Sequence, residues 1–328
     1  MCTGLTLSTN EKYHFFGRNL DVPATYQQHV LIVPRKYQWE NSVMNEMMQS
    51  RYSCIGMGIV INQHPLLFDA VNEVGLAGAG LNFTRYAKFS DKISNKRNLS
   101  GSDVLYWALS QFKTIEQLKD ALQDLVITQT EVVEGLEVAK LHWMFTDLSG
   151  KSIVVEYTKD GMQIFDNPVG VLTNDPGFKW HMTNLNHYVT LNANSPEAMD
   201  MDDYQIRPFG HGSGRFGIPG DGTPASRFIR TAFYKQTTIG EDSEIGGVTT
   251  VLKILDQVSI PKGAEIGPRG EMNHTLYQSV MCQESKTYYY TDYNNRRLNA
   301  VKLTEQLAST SQITIYSYLN VQDINYQN

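Results

Sequence analysis

The chain has no long apolar run and no cluster of basic residues. Its apolar segments are far shorter than the roughly 18 residues that a membrane-spanning helix needs, and no Lys/Arg run exceeds two residues, as at Arg35-Lys36. The N-terminal segment has neither a basic stretch nor an apolar one, which argues against a signal peptide. These absences argue against a membrane span and against a surface that follows nucleic-acid phosphates.

Cysteine is also scarce. The 328 residues include three cysteines, Cys2, Cys54 and Cys282. An odd number at wide separations is a poor disulfide framework and is typical of a reducing compartment. The eight histidines form no H-x-x-x-H motif and no cluster with metal-ligand spacing. We therefore predict a cytoplasmic protein with no metal ion and no cofactor.

The composition is that of an ordinary globular protein, with 41% hydrophobic residues, 19% charged residues and a net charge of −6. Strand-like segments dominate the first hundred residues and return at 141–174 and near the C-terminus, whereas helical patterns occupy 102–112, 225–235, 248–258 and a segment opening at Thr114. Blocks of strands thus alternate with pairs of helices. This order favours an α+β fold of antiparallel sheets layered with helices, in a single domain over residues 1–328.

The first chemical signal is the Met1-Cys2 start. A small second residue permits removal of Met1, which would leave Cys2 with a free α-amine. One residue would then carry both a nucleophile and its general base, an arrangement known for N-terminal threonine enzymes. Alone the signal is weak, because any protein can have Cys at position 2.

Two charged residues strengthen this interpretation. Cys2 leads into a strand, and a second strand ends in Gly-Arg-Asn-Leu-Asp at residues 17–21. A hairpin between them would bring Arg18 and Asp21 beside Cys2. Arg18 would favour the thiolate form of Cys2, and Asp21 could accept a hydrogen bond from the α-amine. The alternative is a surface Arg-Asp pair of little energetic value.

Several motifs extend the pattern along the chain: MCTGL, FGRNLD, NEVGLAGAGLNF, LHW, FDNPVGVLTNDP, GIPGD, PASRF and YYYTDY. In this combination the sequence resembles the choloylglycine hydrolase family, which comprises bile salt hydrolases and penicillin V acylases. The resemblance implies a four-layer αββα N-terminal-nucleophile hydrolase fold, a bacterial source and a homotetramer. It also implies a catalytic site in which Cys2 is the nucleophile; the other members are Arg18, Asp21, Asn82, Asn174 and Arg227.

The roles of these residues follow from the chemistry of amide cleavage. Attack of the Cys2 thiolate on an amide carbonyl creates an oxyanion, to which the Asn82 side chain and a backbone N–H could donate. Asn174 is a second donor candidate or a clamp on the α-amine, and Arg227, near the start of a predicted helix, could anchor the site electrostatically. The alternative for either asparagine is a turn residue that bonds its own backbone.

The resemblance also bears on the substrate. Asn at position 82 resembles bile salt hydrolases, whereas penicillin V acylases tend to have Tyr there. An apolar steroid needs an apolar wall, for which the motif alignment suggests Leu20, Tyr26, Ile61, Phe68, Val132 and Leu136. Val132 and Leu136 have i, i+4 spacing on a predicted loop-to-helix segment. Ordinary core or loop packing is the alternative for these six residues.

We therefore predict a cofactor-independent cysteine amidase that hydrolyses glycine- or taurine-conjugated bile salts through a thioester intermediate. One alternative is the same machinery acting on penicillin V or an N-acyl-homoserine lactone, and another is a non-catalytic steroid-binding protein. The G-x-G-x-x-G match at residues 212–217 is discounted, because it follows no clear strand and runs into Pro219.

Overall fold

The structure is a computed structural model that describes residues 1–10 and 12–328. The strands are β1 (Cys2–Thr9), β2 (Tyr13–Val22), β3 (His29–Val33), β4 (Gln38–Asn41), β5 (Glu46–Gln49), β6 (Cys54–Ile61), β7 (His64–Asn72), β8 (Ala77–Asn82), β9 (Arg97–Ser100), β10 (Leu125–Thr128), β11 (Leu141–Thr146), β12 (Ser152–Thr158), β13 (Gly161–Asp166), β14 (Val171–Leu172), β15 (Met199–Met201), β16 (Tyr204–Ile206), β17 (Glu265–Ile266), β18 (Met272–Cys282), β19 (Thr287–Asp292), β20 (Asn299–Lys302) and β21 (Thr314–Tyr316). The helices are α1 (Val104–Gln111), α2 (Ile115–Leu122), α3 (Phe178–Leu185), α4 (Pro224–Thr237), α5 (Glu244–Asp256) and α6 (Glu305–Ala308), with 3₁₀ turns at Asn186–Tyr188 and Ser213–Arg215.

Most strands belong to two antiparallel sheets. The first sheet has the order β14-β1-β2-β18-β19-β20, with β17 paired to β18. The second sheet has the order β13-β12-β11-β8-β7-β6-β3-β21. The N-terminal strand β1 therefore lies inside the first sheet, between β14 and β2, and its residues 2–6 are buried.

Alternate side chains of the second sheet belong to two different apolar clusters. Ile32 belongs to the apolar cluster that includes the first sheet, whereas its neighbours Leu31 and Val33 belong to the cluster that includes α1 and α2. Successive side chains of a strand point to opposite faces, so the second sheet is covered by the first sheet on one face and by helices on the other. Helices α4 and α5 contact the first sheet. The predicted α+β fold with two antiparallel sheets between helix layers is confirmed.

Close packing of α5 on β2 depends on two glycines. A Cβ at Gly17 would lie 2.3 Å from a methyl carbon of Val251, and one at Gly247 would lie 2.2 Å from the ring of Phe15. Real Cβ atoms do not approach other heavy atoms this closely, so a side chain at either position would push the helix away from the strand. These glycines thus hold α5 against the strand that carries Arg18.

The strongest local patterns predict the elements well. The helix expected to open at Thr114 is α2, and Thr114 caps it by accepting a hydrogen bond from the Gln117 backbone N–H. The pattern does not predict α3, and the helix expected around Val132 and Leu136 is wrong, because residues 131–140 contain only bends and a turn. The single domain stays a prediction. In the described residues, no helix is both long and apolar enough to cross a membrane.

Candidate active site

Pairing of β1 with β2 brings the predicted cation to the nucleophile. Cys2 lies opposite Leu20 and Gly4 lies opposite Arg18, so Arg18 and Cys2 are diagonal neighbours on one face. The Arg18 side chain runs toward Cys2. Its Nη2 donates to the Cys2 Sγ over 2.8 Å, and both residues are buried. A guanidinium in this position favours the thiolate form of a cysteine.

The other side of Arg18 is held by the second sheet. Nη1 donates to the Phe68 carbonyl oxygen over 2.9 Å and lies 3.5 Å from the Asp69 carboxylate. Asp69 also accepts hydrogen bonds from the hydroxyl groups of Tyr277, Ser279 and Tyr288. Burial raises the pKa of Asp69, although Arg18 and these hydroxyl groups act in the opposite direction. Burial also opposes the charge on Arg18, yet the neighbouring anionic groups raise its pKa on balance.

Arg227 forms a second buried cation beside Cys2. Its Nη1 donates to the Cys2 carbonyl oxygen and to the Thr3 hydroxyl, both over 2.6 Å, and its Nη2 donates to the Asn174 Oδ1 over 2.8 Å. The residue lies near the start of α4, where Thr223 is the N-cap. Burial lowers the pKa of Arg227, against the influence of the Asp21 carboxylate at 4.0 Å. Arg227 thus fixes the backbone around Cys2 through hydrogen bonds to oxygen atoms.

Asn174 holds the nitrogen of the nucleophile. The Cys2 N–H donates to Asn174 Oδ1 over 2.8 Å, and the Asn174 side-chain amide donates to the Asn82 carbonyl oxygen over 2.8 Å. The role of Asp21 as acceptor for the α-amine stays a prediction, because Met1 still makes the Cys2 nitrogen a backbone amide. The Asp21 Oδ1 accepts from the Thr275 hydroxyl, and its Oδ2 has no hydrogen-bond partner among the described residues. The Asp21 backbone N–H and carbonyl both bond to Met1, and its side chain faces Thr275 and Arg227.

A cavity of about 270 Å³ opens from the sulfur of Cys2. Arg18 and Asn82 line its wall together with Cys2, and Asn82 is half-buried. Of the six predicted wall residues, Leu20, Tyr26, Phe68 and Leu136 line it. The remaining apolar wall comes from Val22, Ile59, Leu66, Leu67, Leu105, Ala139, Leu141 and Trp143. We call this space the Cys2 cavity.

Two predicted wall residues, Ile61 and Val132, do not line the Cys2 cavity. Ile61 shares a strand face with Ile59 but lies at the hairpin end of β6, so Ile59 takes the position on the wall. Val132 precedes a turn in which the Leu136 N–H bonds to the Val133 carbonyl oxygen. Without a helix, i, i+4 spacing does not place two side chains on one face.

Sequence reasoning missed several wall residues that carry a periodic signal. Leu141 and Trp143 alternate around His142 in the LHW motif, and both line the cavity. Ile59 alternates with Ile61 in the same way. Period-2 alternation in these strands would have suggested a shared face. Leu105 carries no such signal, because every residue of α1 from Val104 to Ser110 is buried.

The two other cysteines and the glycine motif do not line the Cys2 cavity. Burial raises the pKa of the Cys54 and Cys282 thiols, and neither residue lines the Cys2 cavity. In residues 1–10 and 12–328, no group of three or more His, Cys, Asp or Glu side chains is arranged to hold a metal ion. The glycine motif at 212–217 contains only a 3₁₀ turn, Ser213–Arg215.

The arrangement is suited to nucleophilic attack. A sulfur next to a permanent cation lies at the end of an apolar cavity, and the nitrogen of the same residue is oriented by an amide oxygen. Asn82 lines the same cavity as Cys2, and its side-chain amide is a hydrogen-bond donor that could face a developing oxyanion. These parts match what an N-terminal cysteine amidase requires.

Comparison with known proteins points in the same direction. Residues 2–316 match the choloylglycine hydrolase family of linear amide C–N hydrolases. The chain is 37% identical to the bile salt hydrolase/transferase of Clostridium perfringens, with all of both chains covered. It superposes on the crystal structure of a variant of the conjugated bile acid hydrolase of that organism with a TM-score of 0.94, again over both whole chains. A penicillin V acylase of Pectobacterium atrosepticum is more distant, at 27% identity over 68% of this chain and 58% of the relative.

Proposed function

The chain belongs to the choloylglycine hydrolase family of linear amide C–N hydrolases, and from this membership we propose that it cleaves glycine- and taurine-conjugated bile salts with Cys2 as the nucleophile. One observation carries the proposal: the Cys2 Sγ lies 2.8 Å from Arg18 Nη2 at the wall of an apolar cavity. The cavity would take the steroid acyl group, with the scissile amide next to the sulfur. Arg18 would hold the sulfur anionic.

The reaction would proceed by two acyl transfers, first to Cys2 and then to water. The sulfur of Cys2 attacks the amide carbonyl and forms a tetrahedral intermediate, whose oxyanion accepts hydrogen bonds from the Asn82 side chain and a backbone N–H. One such donor is typically worth about 3 kcal/mol. The Cys2 α-ammonium protonates the departing nitrogen of glycine or taurine, and a thioester forms. Water, deprotonated by the same amine, then hydrolyses the thioester and releases the bile acid.

This mechanism requires removal of Met1. Met1 occupies the place beside Asp21, to which it makes backbone hydrogen bonds. Its removal would convert the Cys2 amide nitrogen into an amine that keeps the Asn174 Oδ1 as partner. Asp21 acts in this proposal through Arg227 and Thr275, with which it fixes the end of β2. An intact-mass measurement tests this step, since active protein that retains methionine would contradict it.

Bile salts are favoured over penicillin V by the relatives and by residue 82. The full-length relative at 37% identity is named a bile salt hydrolase/transferase, whereas the penicillin V acylase matches only part of the chain. Residue 82, which is Asn as in bile salt hydrolases and not Tyr as in penicillin V acylases, lies on the cavity wall. The apolar residues that surround Cys2 are suited to a steroid, which has a large hydrophobic surface to bury.

Side-by-side turnover of glycocholate, taurocholate and penicillin V tests the substrate class. We expect release of glycine and taurine to exceed penicillin V cleavage, and Cys2→Ala to abolish both. Cys54→Ala is the matched control, because Cys54 is buried outside the Cys2 cavity and should keep full activity. Faster cleavage of penicillin V would favour the acylase alternative. Bile-salt binding without amine release by the wild type would favour the non-catalytic steroid-binding protein.

A cytoplasmic location in a bacterium and a homotetramer remain parts of the proposal. The three cysteines are free, which supports a reducing compartment. On the β15–β16 hairpin, Met199, Met201 and Tyr204 are exposed, and such side chains are available for burial between subunits. Light scattering coupled to gel filtration tests the assembly: a single monomeric mass at micromolar concentration would contradict it.

A further inference from the structure

A buried histidine–glutamate pair lies behind Asn174. His142 on β11 and Glu156 on β12 are both buried, and the His142 Nδ1 lies 3.3 Å from the Glu156 Oε1. They lie one position beyond the Trp143–Val155 pair of the two antiparallel strands. The His142 ring stacks on Phe83 with centroids 4.3 Å apart and an interplanar angle of 9°, which fixes its plane. The pair does not line the Cys2 cavity.

Both members hold the segment that carries Asn174, which we call the Asn174 loop (residues 173–177, between β14 and α3). The His142 Nε2 lies 3.0 Å from the Thr173 carbonyl oxygen, immediately before Asn174. The Glu156 Oε1 accepts the Phe178 backbone N–H over 2.8 Å, at the other end of the loop. A third residue, His181, bonds through its Nε2 to the Asn174 carbonyl oxygen over 2.9 Å.

The contacts determine where the protons must lie. A carbonyl oxygen only accepts, so His142 carries a proton on Nε2. The hydrogen bond between Nδ1 and Oε1 then needs one more proton, either on the ring or on the carboxyl group. In both cases the pair has no net charge, which avoids an uncompensated charge in the interior. His181 is different: its Nδ1 has no partner among the described residues, and burial lowers its pKa to about 4, which agrees with a neutral ring.

We propose that Glu156 and His142 are positioning residues for the amidase reaction, which hold the Asn174 loop so that the Asn174 Oδ1 stays on the Cys2 nitrogen. The inference rests on the proposed function, because the Cys2 nitrogen matters as the proton carrier of that reaction. The chain of contacts is continuous: Glu156 to His142, His142 to Thr173, and Asn174 to Cys2. Neither positioning residue touches the substrate cavity.

Glu156→Gln is the informative variant. One oxygen, Oε1, accepts from Phe178 and also faces His142. A glutamine offers either its oxygen or its NH₂ group at that place, so it satisfies one neighbour and leaves the other unpaired. The shape of the side chain is unchanged, and the effect is therefore one of hydrogen bonding. Misplacement of a catalytic group by about 1 Å can cost roughly 100-fold in rate, so we expect kcat to fall by about 10- to 100-fold with little change in KM.

Glu284→Gln is the matched control. Glu284 also pairs with a histidine: its Oε1 lies 2.7 Å from the His14 Nδ1, and this pair is partly buried. The pair lies at the end of β2 that is away from Cys2. The same substitution there should leave kcat unchanged. If Glu156→Gln does not fold, as judged by thermal unfolding, Glu156→Asp replaces it, since it keeps the carboxyl group and withdraws it by one methylene. The same expectation holds for kcat and KM.

A double-variant cycle with Asn174→Ala tests whether Glu156 acts through Asn174. The kcat loss caused by Glu156→Gln should nearly vanish in the Asn174→Ala background. If the kcat losses of the two single variants multiply in the double variant, or if Glu156→Gln is as active as Glu284→Gln, the proposal is overturned.

The rate of Cys2 alkylation by iodoacetamide needs no substrate and should fall in Glu156→Gln but not in Glu284→Gln. A wild type that alkylates normally yet releases no glycine or taurine would refute the proposed function alone.

Discussion

The two ends of the Cys2 cavity are built from different kinds of structure. At the nucleophile end, Cys2, Arg18 and Asn174 are buried, and each makes several hydrogen bonds to strands or to α4. At the outer end, Tyr26 is 52% exposed and packs edge-on against Phe68, with ring centroids 5.3 Å apart. The segments 23–28 and 129–140, which carry Tyr26 and Leu136, contain neither helix nor strand.

This difference separates chemistry from selectivity. A buried, hydrogen-bonded group has one position, which suits atoms that must meet a carbonyl within a fraction of an ångström. A loop tolerates substitution and insertion at low energetic cost. We therefore expect substitutions at the nucleophile end to change kcat and stability, and substitutions at the outer end to change KM only.

The largest effect is expected for Arg18→Met. The change removes the cation beside Cys2 and leaves the Asp69 carboxylate buried without a counter-charge. Breaking one partner of a buried ion pair costs about 3–5 kcal/mol of the free energy of unfolding, and kcat/KM should fall by roughly 100-fold or more. Urea unfolding and bile-salt turnover measure the two effects.

The double variant Arg18→Met/Asp69→Asn is the control for that prediction. Neutralising Asp69 removes the uncompensated charge, so stability should return in part while activity stays low. Recovery of both would mean that Arg18 supports the fold and has no role at the sulfur. A normal rate of turnover in Arg18→Met would remove the basis for a thiolate held by this guanidinium.

The nucleophile end was also the part that the sequence predicted best. Cys2, Arg18 and Leu20 are strand residues, and one hairpin with strict alternation determines their relative places. Asn174 and Arg227 are far apart in sequence from Cys2, and the resemblance of their motifs to a family was needed to bring them together. The role of Asp21 toward the α-amine stays a prediction, because Met1 is still joined to the Cys2 nitrogen. Spacing alone did not show that the Asp21 carboxylate would also accept a hydrogen bond from Thr275.

The outer end was predicted in part, since Tyr26 and Leu136 line the cavity and Val132 does not, and the miss has a physical reason. Val132 and Leu136 were paired through a helical period, but residues 131–140 take their shape from single contacts such as the Gly135 N–H to the Glu131 carboxylate. No periodic pattern encodes such contacts. Likewise α3 has a weak signal because only Phe178 and His181 of its eight residues are buried.

A smaller loss of activity than for Arg18→Met is expected for Asn82→Ala. Asn82 lies on the cavity wall beside Cys2, and its backbone carbonyl oxygen bonds Asn174. The substitution keeps that backbone contact and removes only the side-chain donor. Loss of one oxyanion donor costs about 3 kcal/mol in the transition state, so kcat should fall by roughly 100-fold with little change in stability. A rise in KM at constant kcat would instead assign Asn82 to substrate binding.

The smallest effect, and the sharpest test of the outer end, comes from Leu136→Ala compared with Val132→Ala. Leu136 lines the Cys2 cavity and Val132 does not, although both belong to one loop and are half-buried. Burying a leucine side chain is worth about 1.5–3 kcal/mol. Leu136→Ala should therefore raise the KM for taurocholate by about 10-fold without changing kcat, while Val132→Ala leaves both constants within about twofold. The free energy of unfolding should change by less than about 1 kcal/mol in both variants, since neither side chain belongs to the core.

Equal increases in KM would mean that the loop closes around the steroid as a unit and brings Val132 to the wall, and a fall in kcat would show that the outer end also positions the scissile amide.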